Sequence, residues 1–226
     1  MLTKLINRNY LKLIIPVSSG VFFIGLIVSS FYFYSQKEFN WTAAIISDLQ
    51  SPIENPKGYL PASLGTAISV IFLVPLLISM SIKLERIKRI PAIFGTSIFG
   101  LGIIGGIIIG FLSPFPKYYE IVHIPIAFAT FIFIVGGILM FLLLTSLSIY
   151  QNNKKYSFIL LVLFGFKLAV FASLIYIYTI PEFFSGVNLF KTLAFWEWSL
   201  CISIVIHLQI IKSVIDKYLY VEETHA

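Results

Sequence analysis

Six long runs of apolar residues dominate the chain, and short polar stretches separate them. A transmembrane helix needs about 20 mostly apolar residues, because each residue adds about 1.5 Å and the hydrocarbon core is about 30 Å thick. Every run reaches that length. The pattern therefore predicts an all-α polytopic membrane protein, a single six-transmembrane-helix bundle over residues 1–226. The predicted helices are about Leu11–Phe33, Leu60–Ile82, Ile90–Leu112, Ile121–Leu147, Ser157–Ile180 and Leu193–Ile215.

The composition agrees with a membrane protein and excludes an ordinary soluble domain. Hydrophobic residues make up 58% of the chain and charged residues 12%, whereas about 25% of the residues in a soluble domain are charged. The first apolar run is longer than the core of a signal peptide and lacks a small-residue cleavage site, so we expect it to remain as a helix. The lone cysteine, Cys201, lies within a predicted helix and rules out a disulfide framework within this chain.

The basic residues lie mainly in short loops on one side of the predicted bundle. A net charge of +6 would suit nucleic acid, but basic residues beside apolar runs are the signal of membrane orientation instead. Eleven of the 16 basic residues fall on the side of the two termini and four on the opposite side. This bias predicts cytoplasmic termini in a plasma membrane or endomembrane, with no nucleic-acid partner. The eleven are Lys4, Arg8, Lys12, Lys83, Arg86, Lys88, Arg89, Lys154, Lys155, Lys212 and Lys217.

One of these loops is a compact basic cluster between the second and third predicted helices. It contains Lys83, Arg86, Lys88 and Arg89. The simplest interpretation is that the cluster sets topology. Anionic phospholipids are a further candidate partner, since each basic residue near such a surface contributes about 1 kcal/mol.

A few ionisable residues are predicted to lie inside the membrane. Glu197 and His207 belong to the sixth run, and Lys167 lies near the centre of the fifth. A central lysine costs about 2.5 to 3.5 kcal/mol on insertion scales, so it needs partners or water. Ser203 shares a helix face with His207, four residues further on. We expect Glu197, Lys167, His207 and Ser203 to form a polar cluster, either structural or a substrate or ion site.

A second polar group is expected at the opposite end of the bundle from the termini. Asp48 in the first loop, Glu120 and His123 at the start of the fourth helix, and Glu197 all fall at about the same level. We expect these residues to fasten the first loop onto the mouth of the bundle. Asp48, His123 and Glu197, together with His207, are also the weak candidates for catalytic residues. No pair has the usual zinc spacing, so the sequence predicts no metal site and no cofactor.

Two short motifs complete the set. Gly102, Gly106 and Gly110 recur every four residues, which places them in one stripe where a neighbouring helix can approach closely. Asn40-Trp41-Thr42 is a possible N-glycosylation site in the first loop.

Several of these positions together resemble a known family. Ile46-Ser47-Asp48 in the first loop, Phe111, His123 opening the fourth helix and Glu197-Trp198 opening the last match its short motifs. On these residues the chain resembles the FRAG/DRAM/SFK family, which includes damage-regulated autophagy modulators and relatives linked to phosphoinositide and lipid-anchor handling. The chain departs from the family pattern after Asp48, where Leu49-Gln50 replaces an expected glycine.

The resemblance implies a non-enzymatic membrane protein with a lipid-associated or regulatory role. An uncharacterised six-helix family of bacteria and archaea shares the same loop and histidine and is a competing relative. Two functions of other classes stay open. One is an intramembrane lipid hydrolase, similar to ceramidase-related enzymes in its Ser203 and His207 spacing. The other is a small-solute transporter that uses Lys167 and Glu197.

Overall fold

The computed structural model describes residues 8–35, 45–179 and 192–218 of the chain, and in these ranges the regular structure is all helical. The helices are α1 Arg8–Tyr34, α2 Ile46–Gln50, α3 Tyr59–Phe72, α4 Val74–Glu85, α5 Arg89–Leu112, α6 Pro116–Ile149, α7 Lys154–Thr179 and α8 Leu193–Tyr218.

Six spans are long and apolar enough to cross a membrane, which confirms the all-α six-helix prediction. Five spans are single helices, and α3 with α4 forms the remaining one, Tyr59–Glu85. The short helix α2 lies in the connection between α1 and α3. We call the end of the bundle that carries α2 the loop end, and the opposite end the termini end.

The second span is interrupted at Leu73. Leu73 donates its backbone N–H to the carbonyl of Val70, three residues back, as the first half of the span ends. Pro75 occupies the first turn of α4, where its missing N–H removes a bond that a continuous helix would make to Ile71. By contrast Pro125 lies inside α6, which continues unbroken as a helix to Ile149.

The fourth spanning helix begins earlier than the apolar pattern predicted. Its first residue is Pro116, whereas Ile121 was expected. Proline is favoured in the first turn of a helix, because its N–H would be unpaired there anyway and its φ angle already suits a helix. The polar residues between Pro116 and Ile121 therefore form the helix start, and only Ser113 to Phe115 connect it to α5.

Glycines set the closest helix contacts. At Gly102 an added Cβ would lie 2.9 Å from the backbone nitrogen of Ile134 on α6. Gly110 faces α3 instead, where an added Cβ would lie 2.6 Å from the carbonyl oxygen of Ser63, and Gly106 faces Val70 of the same helix. The glycine stripe of α5 therefore packs against two helices, which places α5 between α3 and α6.

An ion-pair triad closes the termini end. Asp216 on α8 accepts hydrogen bonds from the ammonium groups of Lys83 on α4, at 2.7 Å, and Lys212 on α8, at 2.6 Å. Lys83 was expected in the basic loop that meets lipid, but here its ammonium group contacts a carboxylate of the bundle. Arg86, Lys88 and Arg89 lie exposed at the α4–α5 connection.

We expect Gly110→Ala to lower the free energy of unfolding by about 1–3 kcal/mol, the usual cost of overpacking. The added methyl group would press on the backbone of α3. Gly165→Ala is the matched control, because a Cβ there would meet nothing within 4 Å. Thermal unfolding in detergent compares the two variants. Equal melting temperatures would show that α3 and α5 are not held at this contact.

Candidate functional site

Glu197 holds the start of α2 from across the bundle. Its Oε2 accepts a hydrogen bond from the backbone N–H of Ile46 at 2.6 Å, and the N–H of Ser47 also interacts with this carboxyl group. The first N–H groups of any helix lack partners within the helix, and a carboxylate suits them in hydrogen bonding and in charge. Glu197 is 5% exposed, so this bond lies inside the protein.

Tyr119 and His123, one turn apart on α6, form the second attachment of α2. The Tyr119 hydroxyl donates to the carbonyl of Ser47 at 3.0 Å and lies 3.2 Å from Nε2 of His123, and the two rings stack. Burial, with smaller effects from the carboxylates of Asp48 and Glu197, raises the pKa of the Tyr119 phenol above its usual value. The hydroxyl therefore stays protonated and remains a donor. Asp48 bonds within its own segment, accepting from the N–H of Ile45.

The segment after α2 is held by α1. The buried side chain of Asn55 donates to the carbonyl oxygens of Ser29 and Leu49. The Ser29 hydroxyl contacts the carbonyl of Gly58 and accepts from the N–H of Ala62. The connection from α1 to α3 is therefore bonded to α1, α6 and α8, and Gln50 also bonds to Thr66 and Ser63 of α3.

A cavity of about 130 Å³ lies beneath α2, in the interior of the bundle. At its loop end it is bordered by polar residues, among them Ser47, Gln50, His123 and Glu197. Towards the termini end its wall is mostly apolar. Its lining on α8 runs from Glu197 to Leu208, which is roughly 16 Å at 1.5 Å per residue. The cavity is therefore long and narrow, with a polar end and an apolar body.

A smaller cavity of about 20 Å³ adjoins the polar end. It shares Ser47, His123, Ala127, Phe131 and Glu197 with the larger cavity and extends between α6 and α7. The remaining lining residues are Ile124, Phe128 and the buried Leu174. Ile124 is 60% exposed, so this gap lies next to the surface that the acyl chains would contact.

Lys167 and Ser203 form a separate polar group in the middle of the bundle. Lys167 is fully buried, and its Nζ donates to Oγ of Ser203 at 2.6 Å and lies 3.5 Å from the carbonyl oxygen of Leu200. Among the described residues no carboxylate lies within ion-pair distance of it. The Ser203 hydroxyl in turn donates to Leu200. Neither Lys167 nor Ser203 borders the two cavities above.

His207 is held by backbone carbonyls. Its Nδ1 contacts the carbonyl of Ser203 and its Nε2 that of Leu163, at 3.1 Å. The spacing of Ser203 and His207 suggested a serine activated by a histidine, but in the structure the imidazole contacts the serine backbone and the hydroxyl contacts Lys167. The two side chains therefore do not form a nucleophile and base.

The structure thus divides the predicted site residues between two levels. Asp48, His123 and Glu197 lie together around α2, whereas Lys167, Ser203 and His207 lie deeper. The side chain of Glu120 and the residue Asn40 fall outside the described part of the structure. Within the described ranges no group of three or more His, Cys, Asp or Glu could hold a metal ion.

Sequence reasoning missed Tyr119, Gln50 and Asn55. Tyr119 precedes His123 by four residues, and this helical spacing was the available signal. Gln50 ends the five-residue helix α2 and Asn55 lies in the turns after it, where the pattern is too short to indicate which side chains turn inward.

We expect Glu197→Ala to release α2, because the N–H of Ile46 would lose its acceptor at a cost of about 1–3 kcal/mol. The measurement is tryptic cleavage after the exposed Lys57 in nanodiscs, mapped by mass spectrometry. Cleavage should be several-fold faster than in wild type. Glu197→Gln is the control, since its amide oxygen can still accept the bond. Equal rates in all three proteins would contradict this attachment.

We expect Lys167→Met to leave the free energy of unfolding unchanged or to raise it, by up to about 3 kcal/mol. The variant removes a buried ammonium group that contacts only neutral oxygens, and the Ser203 hydroxyl still pairs with Leu200. The control is Lys155→Met, at an exposed position. A clear fall in the melting temperature of Lys167→Met alone would mean that the ammonium group holds α7 to α8.

Comparison with known proteins adds no relative to this description. No family model, no curated protein and no solved structure matches the chain. What the protein does must therefore be argued from the helices, the cavity and the polar residues around it. On that evidence the chain has the architecture of a multi-pass integral membrane protein.

Proposed function

We propose that this protein is a non-enzymatic, lipid-associated membrane protein whose central cavity takes up one lipid chain. The observation that carries the proposal is the form of that cavity. It is narrow and about 16 Å long by helix rise, its body is mostly apolar, and α2 borders its polar end. A ligand with one polar end and one apolar chain matches these walls better than a polar solute does.

The side gap supports lipid access from the bilayer. The smaller cavity extends from the polar end towards the exposed Ile124, between α6 and α7. Lipid entry by this route would avoid water, and it requires the gap, which is about 20 Å³, to widen. A head group would then stop beside α2, and the chain would lie along α8 towards Leu208.

The hydrolase and transporter hypotheses have less support. The contact between Lys167 and Ser203 resembles a serine–lysine catalytic pair, which is the strongest observation for a hydrolase. However, the lysine donates to the serine, and neither residue borders the cavities. A transport path through Lys167 and Glu197 would need both residues to line the cavity, and Lys167 does not.

Orientation and surface contacts are part of the same proposal. The bias of basic residues favours cytoplasmic termini in a plasma membrane or endomembrane. Arg86, Lys88 and Arg89, exposed at the termini end, would then meet anionic phospholipid head groups. Membership of the FRAG/DRAM/SFK family is proposed on the motifs given above and points towards the same lipid-associated role.

The test is lipid retention. Protein purified from membranes in mild detergent is expected to carry about one single-chain lipid per molecule, detected by native mass spectrometry and recovered chemically unchanged. Ala127→Phe should lose it, because Ala127 lines both cavities. Ala172→Phe is the matched control, at an exposed position on α7.

Two results would contradict the proposal. One is an absence of retained lipid above the level of the Ala127→Phe variant. The other is turnover of added lipid that disappears in a stable His207→Ala variant, which would establish the hydrolase instead.

A further inference from the structure

We propose that the polar end of the cavity recognises a head group that donates hydrogen bonds, an amine or a hydroxyl, and that it discriminates against carboxylates. The ligand would be a long-chain amine or alcohol. This inference rests on the proposed lipid-associated function and adds the chemical class of the ligand. It follows from the acceptors that His123 and Glu197 place at the polar end and from the protons that Tyr119 and the hydroxyls along the cavity already use.

His123 carries its proton on Nε2. The Tyr119 hydroxyl has one proton, and it donates this proton to the carbonyl of Ser47. The contact between Tyr119 and Nε2 of His123 therefore needs its proton from the histidine. A neutral imidazole with its proton on Nε2 has only a lone pair on Nδ1.

The residue that carries this lone pair is buried next to the cavities. His123 is 4% exposed and borders both cavities. Its Nδ1 has no hydrogen-bond partner among the described residues. A buried polar atom left without a partner costs about 1–3 kcal/mol. A ligand that donates a hydrogen bond to Nδ1 would remove this cost.

Glu197 adds a second acceptor to the same place. Its carboxyl group borders both cavities, accepts from the backbone of α2 and has no basic side chain paired with it in the described part of the chain. A carboxylate inside a membrane protein normally has a compensating partner. An ammonium head group would supply positive charge as well as donors.

The hydroxyl groups further along the cavity have also committed their protons. Ser18 donates to the carbonyl of Ser69, Ser69 to that of Thr66, and Thr130 to that of Ile126, at 2.7–2.8 Å. The oxygen atoms that these residues offer to the cavity can therefore accept but not donate. A carboxylate or phosphate head group mainly needs donors, and of the polar residues at this end only the Ser47 hydroxyl and the second N–H of the Gln50 amide have protons left to donate.

The volume limits the ligand to a single chain. A cavity of about 130 Å³ is close to the engineered cavity of about 150 Å³ that holds one benzene molecule. It has no room for two acyl chains side by side. One chain therefore fills the cavity, and a chain longer than about six carbons needs the side chains along the wall from Glu197 to Leu208 to move apart.

The test uses the full chain in nanodiscs with three radiolabelled probes of equal chain length: dodecylamine, dodecanol and dodecanoate. Binding to empty nanodiscs is subtracted. We expect dodecylamine to bind most tightly, dodecanol less tightly and dodecanoate at least tenfold more weakly than dodecylamine. Ala127→Phe should abolish specific binding of all three, whereas Ala172→Phe should leave it unchanged.

The variant Glu197→Gln removes the negative charge and keeps the size of the side chain. It also tests the inference if Ala127→Phe does not fold. Its amide can still accept the bond from Ile46, so α2 stays in place, while the negative charge is lost. We expect dodecylamine to bind at least tenfold more weakly and dodecanol nearly as before. Equal binding of all three probes by wild type, or tighter binding of dodecanoate, would overturn the inference. Dodecanoate binding as tight as that of dodecylamine, and removed by Ala127→Phe, would overturn it while leaving the lipid-associated function in place.

Discussion

The hydrogen bond between the Glu197 carboxyl group and the first turn of α2 is the contact on which the loop end depends. Five-residue helices are not stable by themselves, because nucleating the first turn costs more than so few bonds return. The N–H groups at the start of α2 gain their acceptor from α8, 151 residues further along the chain than Ile46. In return the buried carboxyl group obtains hydrogen-bond donors. Each group thus replaces the water molecules that the other loses on burial.

The cavity follows from this attachment. α2 lies across the loop end, held by Glu197 on one side and by Tyr119 on the other. The space beneath it is left unfilled by side chains, even though α5 packs tightly through its glycines. The polar residues that fix α2 thus also form the polar end of the cavity. Any ligand held there would contact the groups that fasten the loop, so binding and loop order are physically coupled.

Lys167 illustrates a different way to bury charge. Its ammonium group contacts a serine hydroxyl and a backbone carbonyl, although Glu197 lies on the helix that faces it. The two charged residues are separated in depth along α8, and each has found hydrogen-bond partners at its own level. At the termini end the opposite solution occurs, where Asp216 pairs with two lysines. Ion pairing is therefore found where the bundle meets the head groups, and neutral partners are found at its centre.

The number, length and order of the spanning helices were set by local sequence. Apolar run length is a local property and was sufficient to predict all six. The proline at position 75 was a sequence signal for the interruption of the second span. Pro125 is the same signal, but α6 continues through it as a helix. The small residues of α5 indicated close packing, but not which helix approaches each glycine.

Tertiary structure decided the site. Proximity in depth suggested that Asp48, His123 and Glu197 belong together, because depth can be counted along each helix. The hydrogen-bond partners of these residues could not be predicted from depth. That Glu197 bonds to α2, that Tyr119 mediates between His123 and Ser47, and that Lys167 pairs with Ser203 all depend on how each helix is rotated about its axis. Sequence periodicity fixes that rotation only when one face is more polar than the others, and in a bundle surrounded by lipid nearly every face is apolar.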